Sequence, residues 1–102
     1  MKGYNKLLRD KIPEIIRADG KECEVRIAEG KEKYELLEKK LMEEVNEFLE
    51  DKNLEELADV MEVLFELARD IGYSEEDLIR KREEKKTERG GFEEGIILVK
   101  VK

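Results

Sequence analysis

The sequence contains no histidine and no tryptophan, and it has one cysteine and one proline among 102 residues. The absence of histidine excludes Ser-His-Asp and Cys-His catalytic machinery and His-ligated zinc. The single cysteine, Cys23, excludes a disulfide within the chain and is consistent with a reducing compartment. No apolar run approaches the roughly 20 residues of a membrane span, and the opening residues lack the apolar stretch of a secretory signal. We therefore expect a cytoplasmic protein without a membrane partner.

Charge is what the sequence has in abundance. Charged residues make up 48% of the chain, hydrophobic residues 39%, and the net charge is −7. A negative chain is a poor partner for nucleic acid, whose generic binders are basic. An acidic protein that handles a polyanion needs metal ions or a local basic patch. The length suits one domain, residues 1–102, with a modest core, so we expect burial against partner chains in a homodimer or homotetramer.

Helical periodicity dominates the apolar pattern and predicts a mainly α fold. The predicted helices are a short one over 9–20 and long ones over 31–50, 54–71 and 74–88. Asp10 and Asn53 are the expected N-caps of the first and third helices. Ser74 is expected to begin the fourth helix with a capping box that includes Asp77. The short turn after residue 50 makes the two central helices antiparallel neighbours in a helical bundle.

Two segments outside the helices have the pattern of β-strands. Over residues 22–28, polar and apolar residues alternate, with Cys23, Val25 and Ile27 on one face. Within residues 95–102, the stretch 96–99 is continuously apolar, and polar and apolar residues then alternate. We therefore expect a small two-stranded β element beside the helical bundle.

Four acidic residues stand out in the two central helices, as the i,i+3 pairs Glu44/Glu47 and Glu56/Asp59. At about 100° per residue, Glu56 lies within about 20° of the apolar residue Val63, with Asp59 about 60° further round. Glu44 likewise continues the apolar line of its own helix. Because both pairs lie near the shared turn, the four carboxylates can converge.

Converging carboxylates repel one another and lose hydration unless a cation neutralises them. Ligands that are all oxygen atoms suit Mg²⁺ or Mn²⁺, so the spacing is consistent with a site for a hard cation. The alternative is a set of solvated helix faces paired with lysine and arginine. In a chain with 28 acids, such pairs also arise by chance, as Glu35/Glu38 illustrates.

Three stretches of the sequence resemble a known family. "EEVNE" followed by "EELADV" resembles the ExxE…ExxD signature of the MazG-like all-α nucleoside triphosphate pyrophosphohydrolases, a superfamily that includes phosphoribosyl-ATP pyrophosphohydrolase and the dimeric dUTPases. "YNKLLRDKIPEII" and "ERGGFEEGIIL" are similar to stretches of one subgroup of small MazG-like proteins. The resemblance covers nearly the whole chain, although the interval of eight residues between Glu47 and Glu56 is shorter than in many members.

The resemblance implies an activity and a set of ligands. Glu44, Glu47, Glu56 and Asp59 would bind Mg²⁺ as the catalytic acids, and a nucleoside triphosphate would be cleaved between its α- and β-phosphates. Nucleotide-pool house-cleaning is the expected role. Two alternatives stay open: a phosphoribosyl-ATP pyrophosphohydrolase of histidine biosynthesis, and a non-enzymatic helical interaction module.

Three basic residues are candidates for contacts to the outer phosphates. Arg9 and Lys11 lie in "LLRDKIP" and have the side chains that bind phosphate well. Arg89 precedes Gly90 and Gly91, whose backbone can approach a ligand closely. The alternatives are pairing of Arg9 and Lys11 with surface acids, and a purely helix-ending role for the glycines.

Overall fold

The helices follow the sequence prediction closely. The computed structural model describes residues 5–102, so Tyr4, the first residue of the amino-terminal motif, lies outside the described residues. The helices, in chain order, are α1 (Ile12–Ala18), α2 (Gly30–Asp51), α3 (Leu54–Asp70) and α4 (Glu75–Arg89). The three long helices begin and end within one residue of their predicted bounds. None of the helices in this part of the chain is long and apolar enough to cross a membrane.

Local hydrogen bonds explain where the helices begin. The side chain of Asn53 accepts a hydrogen bond of 2.9 Å from the backbone N–H of Glu56, which confirms it as the N-cap of α3. Ser74 and Asp77 form both bonds of the predicted capping box. The prediction of Asp10 as a cap is wrong: α1 begins one residue later, after Lys11, without a side-chain cap. This start puts the proline into the first turn, where its missing N–H costs no hydrogen bond.

Helices α2 and α3 form an antiparallel hairpin. The two-residue turn between them is closed by Lys52, which takes a left-handed conformation and donates its backbone N–H to the carbonyl of Phe48 at 2.7 Å. At the far end, the Nζ atom of Lys33 lies 2.7 Å from Glu66 and 3.7 Å from Asp70. The start of α2 therefore meets the end of α3, and the carboxyl-terminal half of α2 faces the amino-terminal half of α3.

The hydrophobic core of the single chain is thin. Over residues 5–102, Leu37, Val63 and Ala68 are the buried apolar residues, and α3 is the only helix that α4 packs against. The radius of gyration is 17.9 Å, whereas a compact domain of this length has about 13 Å. The chain is therefore elongated, with extents of 61 × 31 × 23 Å.

The prediction of a β element is wrong, because neither segment forms a strand in the described part of the chain. A strand needs the backbone of a partner to satisfy its hydrogen bonds, and 22–28 and 95–102 do not pair. Side chains hold the first segment instead. Cys23 is half-buried with its thiol 3.9 Å from the carbonyl of Pro13, and Arg26 forms a two-bond ion pair with Glu32.

Candidate metal centre

The α2–α3 hairpin brings all four predicted acids together. One carboxylate oxygen from each of Glu44, Glu56 and Asp59 lies within 4.8 Å of the others. A second group, Glu43, Glu44 and Glu47, meets the same distance limit. Glu44 belongs to both groups and joins them. These five residues are called the acidic cluster below.

Helix geometry explains how the cluster is placed. Glu44 comes two turns after the buried Leu37 on the same side of α2, so it enters the hairpin along the line of the core. Glu56 lies in the first turn of α3, where the positive end of the helix dipole favours an anion. The cap by Asn53 bonds to the backbone N–H of Glu56 itself. The turn therefore positions Glu56, and the line of the core positions Glu44.

Burial of these carboxylates without a bound cation costs free energy. Glu44 is only 6% exposed. Its Oε2 atom, and that of Glu56, are buried without a hydrogen-bond partner among the described residues. Buried polar atoms in folded proteins are almost always paired, and an unpaired one costs free energy. These two oxygens are therefore available to a bound cation.

Electrostatics within the cluster leads to the same conclusion. Burial raises the pKa of Glu44, and the charges of Glu47 and Asp59 raise it further against the opposing effect of Lys40. The pKa of Glu56 is raised by loss of hydration, with Asp59 adding to the rise. Both groups are thus held less favourably as anions than in water. A bound cation would reverse that preference.

Cationic side chains neutralise only part of the cluster. The Nζ atom of Lys40, whose side chain is 19% exposed, lies 3.3 Å from Glu44 and 3.7 Å from Glu43. Arg9 donates a hydrogen bond of 3.0 Å to Asp59. Over residues 5–102, Glu47 and Glu56 form no ion pair with a lysine or arginine. The cluster therefore keeps negative charge for a further cation.

The donor set fits a hard divalent cation. Every ligand is a carboxylate oxygen, which Mg²⁺, Mn²⁺ and Ca²⁺ prefer, and the absence of histidine and thiolate argues against zinc. Oxygens on opposite sides of a Mg²⁺ ion lie about 4 Å apart. Groups within 4.8 Å of one another therefore need only small side-chain adjustments to surround one ion.

The predicted phosphate-binding residues differ in where they lie. Arg9 reaches the acidic cluster through its contact with Asp59. Lys11 is exposed and precedes α1, and Arg89 is the exposed last residue of α4. Neither Lys11 nor Arg89 forms an ion pair with the cluster or with any other described residue. Their role in binding phosphate stays a prediction.

Two members of the site escaped the sequence interpretation. Glu43 joins the cluster as a neighbour of Glu44, and Lys40 enters it as the closest cation to Glu44. The spacing of Lys40 and Glu44, four residues apart on a helix, is a signal that the sequence contained. It was hidden because such pairs are common in a chain so rich in lysine and glutamate.

The cap of α3 leads to a testable prediction. Asn53→Ala removes the hydrogen bond to the N–H of Glu56, so it should lower the free energy of unfolding by about 1 kcal/mol and weaken Mg²⁺ binding at the cluster. Ser74→Ala removes the matching cap of α4 and should destabilise similarly without changing Mg²⁺ affinity. Chemical denaturation and isothermal titration calorimetry with Mg²⁺ measure the two effects. Equal affinities for the two variants would show that the cap does not position Glu56.

Comparison of the chain with protein-family models, with curated proteins and with solved structures gives no match. The acidic cluster and the resemblance of the sequence motifs are therefore the two features that point to a function.

Proposed function

We propose that this chain is a Mg²⁺-dependent nucleoside triphosphate pyrophosphohydrolase of the MazG-like superfamily, with Mn²⁺ as a possible substitute. The observation that carries the proposal is the buried, unpartnered oxygen of Glu44 among carboxylates from two helices. A merely solvated acidic face would leave that oxygen in water. The motif residues of the resemblance are the same residues that converge in the hairpin.

The chain's own residues divide the work. Glu44, Glu47, Glu56 and Asp59 would hold the cation, and Glu44 is fixed most firmly because it is buried. Arg9 contacts Asp59 in the cluster, and in the proposed mechanism its guanidinium would turn from Asp59 to the phosphates of a substrate. When bound, Mg²⁺ would supply charge neutralisation for the triphosphate and lower the pKa of attacking water.

Water attack at the α-phosphate would give a nucleoside monophosphate and pyrophosphate. The cluster lies between two helices near their turn, while Arg9, Lys11 and Arg89 come from other segments that can hold the outer phosphates. In ¹⁸O-labelled water, we expect the label in the monophosphate. Label in pyrophosphate would place the attack at the β-phosphate, and orthophosphate as the first product would remove the proposed activity.

The two alternatives have separate tests. Release of pyrophosphate is measured across a panel of nucleoside triphosphates and phosphoribosyl-ATP, with and without Mg²⁺. Turnover of phosphoribosyl-ATP alone would assign the chain to histidine biosynthesis. Absence of turnover with all substrates would favour the interaction module, which the exposed apolar residues of α3, such as Met61, also suit.

The proposal includes self-association in the cytoplasm as a homodimer or homotetramer. The thin core of the single chain supports it, because three buried apolar residues among the described ones are few for a stable domain of this length.

A further inference from the structure

The amino-terminal segment crosses the acidic cluster. Residues 5–9 form neither helix nor strand and lead into α1. The Nζ atom of Lys6 lies 3.5 Å from Glu43 on α2, and Arg9 donates a hydrogen bond of 3.0 Å to Asp59 on α3. One cation of the segment therefore contacts the cluster on each helix of the hairpin. Residues 5–9 are called the basic strap below.

The spacing of the two cations matches the width of the hairpin. Packed helices have axes about 8–10 Å apart. Lys6 and Arg9 are three residues apart, and three residues of extended chain span roughly 10 Å. A hydrogen bond of 3.0 Å from the backbone N–H of Ile12 to the carbonyl of Arg9 ties the strap to the start of α1. The strap is thus attached at its carboxyl-terminal end and meets both helices along its length.

The contacts of the strap are weak enough to exchange. The side chains of Lys6 and Arg9 are 46% and 55% exposed, and their carboxylate partners are also partly exposed. Ion pairs at such exposure contribute little to stability, because water and salt screen them. Lys40, the other cation at the cluster, is far less exposed. A competing cation would therefore displace the strap more easily than it would displace Lys40.

The strap and a divalent cation would use the same carboxylates. Asp59 contacts Arg9 and belongs to one of the two three-carboxylate groups of the cluster, and Glu43 contacts Lys6 and belongs to the other. A divalent cation among these oxygens would repel the ammonium and guanidinium groups beside it and would neutralise the charge that attracts them. Binding of the cation and seating of the strap therefore oppose each other.

We propose that the basic strap is an autoinhibitory counter-ion, which covers the acidic cluster in the metal-free protein and is released when a divalent cation binds. Release frees Lys6 and Arg9 for the phosphates of a substrate, so occupancy of the metal centre controls when these two cations are available. The proposal rests on the cation site of the proposed function and not on the hydrolysis of any substrate.

Isothermal titration calorimetry with Mg²⁺ tests the competition. The double variant Lys6→Gln/Arg9→Gln removes both cations of the strap. It should raise the affinity for Mg²⁺ at least ~5-fold, because the ion no longer has to displace them. Two residues that only bound substrate phosphates would leave the affinity for Mg²⁺ unchanged. The measurement needs no substrate and no turnover.

The matched control is Arg26→Gln/Lys31→Gln. It also removes one arginine and one lysine that pair with surface acids, here Glu32 and Glu35. Lys31 precedes Glu44 by thirteen residues of α2, or about 20 Å, whereas charges in physiological salt are screened over about 8 Å. The control should therefore bind Mg²⁺ within ~2-fold of the unchanged protein.

The outcomes separate this proposal from the proposed function. Equal affinities of the strap variant and the control, or weaker binding by the strap variant, would overturn the strap proposal alone. Absence of Mg²⁺ binding by all three proteins would overturn both the strap and the metal centre. Tighter binding by the strap variant supports the strap even without release of pyrophosphate, a result that would remove only the proposed hydrolysis.

Trypsin measures release of the strap in the unchanged protein. Cleavage after Lys6 requires its ammonium group to leave Glu43 for the protease, so Mg²⁺ should speed this cleavage at least ~3-fold at constant ionic strength. Cleavage after Lys21, whose partner Asp19 lies outside the cluster, is the internal reference and should keep its rate. Glu44→Gln lacks a proposed metal ligand and should lose the acceleration. No acceleration in the unchanged protein, or equal acceleration in Glu44→Gln, would overturn the proposal.

Discussion

Replacing Glu44 by glutamine is expected to lower the proposed Mg²⁺-dependent pyrophosphate release at least ~100-fold, because the variant would lose a proposed metal ligand worth several kcal/mol of charge stabilisation, and each ~1.4 kcal/mol is a factor of ten. The same variant should unfold at an equal or higher temperature in metal-free buffer. Glu44 is buried with an unpartnered oxygen, and the neutral amide avoids the cost of a desolvated charge. Lys40 keeps Glu43 as a partner at 3.7 Å.

The matched control is Glu38→Gln. Glu38 is exposed on the same helix and forms no ion pair with another described residue, so its loss changes the net charge equally without touching the acidic cluster. Thermal melts and turnover assays with both variants separate a local effect from a general one. A clear fall in the melting temperature of Glu44→Gln, with turnover retained, would identify the contact with Lys40 as a structural ion pair and count against a metal centre.

Leu37→Ala is expected to have the largest effect on stability, a loss of about 2–5 kcal/mol in the free energy of unfolding. Leu37 is 5% exposed and is one of three buried apolar residues in the described part of the chain. A total stability of about 5–15 kcal/mol is typical of small domains, so the variant should lose a large part of its free energy of unfolding. Chemical denaturation followed by far-ultraviolet circular dichroism measures it.

Ile27→Ala removes a comparable amount of apolar side chain from an exposed position, so it should change stability by no more than about 0.5 kcal/mol. If both variants unfold alike, the hairpin is not held by the contact at Leu37. If only Leu37→Ala unfolds, Mg²⁺ binding should fall with it, because Glu44 lies two turns further along the same line of α2.

Much of the candidate site followed from the sequence because helices are regular. Once α2 and α3 are helical, their periodicity determines that Glu44 shares a line with Leu37 and that Glu56 shares one with Val63. The short turn then requires the two helices to be antiparallel, which brings the acidic pairs together. The inclusion of Glu43 and Lys40 did not follow from the sequence. Side-chain length and rotamer decide which residues beside Glu44 on α2 reach the acidic cluster.

The strand prediction failed for the opposite reason. Alternation in residues 22–28 and 95–102 describes which sides of an extended segment are apolar, but it does not supply a partner. Pairing depends on contacts between distant parts of the chain or between chains. Within this chain α1 and Glu32 contact the first segment through side chains, and the second stays exposed.

The sequence by itself determined the helices, their caps at Asn53 and Ser74, and the convergence of the two acidic pairs, because all of these depend on spacing along one or two connected elements. Only the tertiary structure decided that Glu44 is buried with a free oxygen and that Arg9 comes from fifty residues away to contact Asp59. It also decided which apolar residues of α2 and α3 are exposed in the single chain, such as Leu49 and Met61. These features depend on how separate segments pack, and packing is settled by the sum of many contacts that no local pattern records.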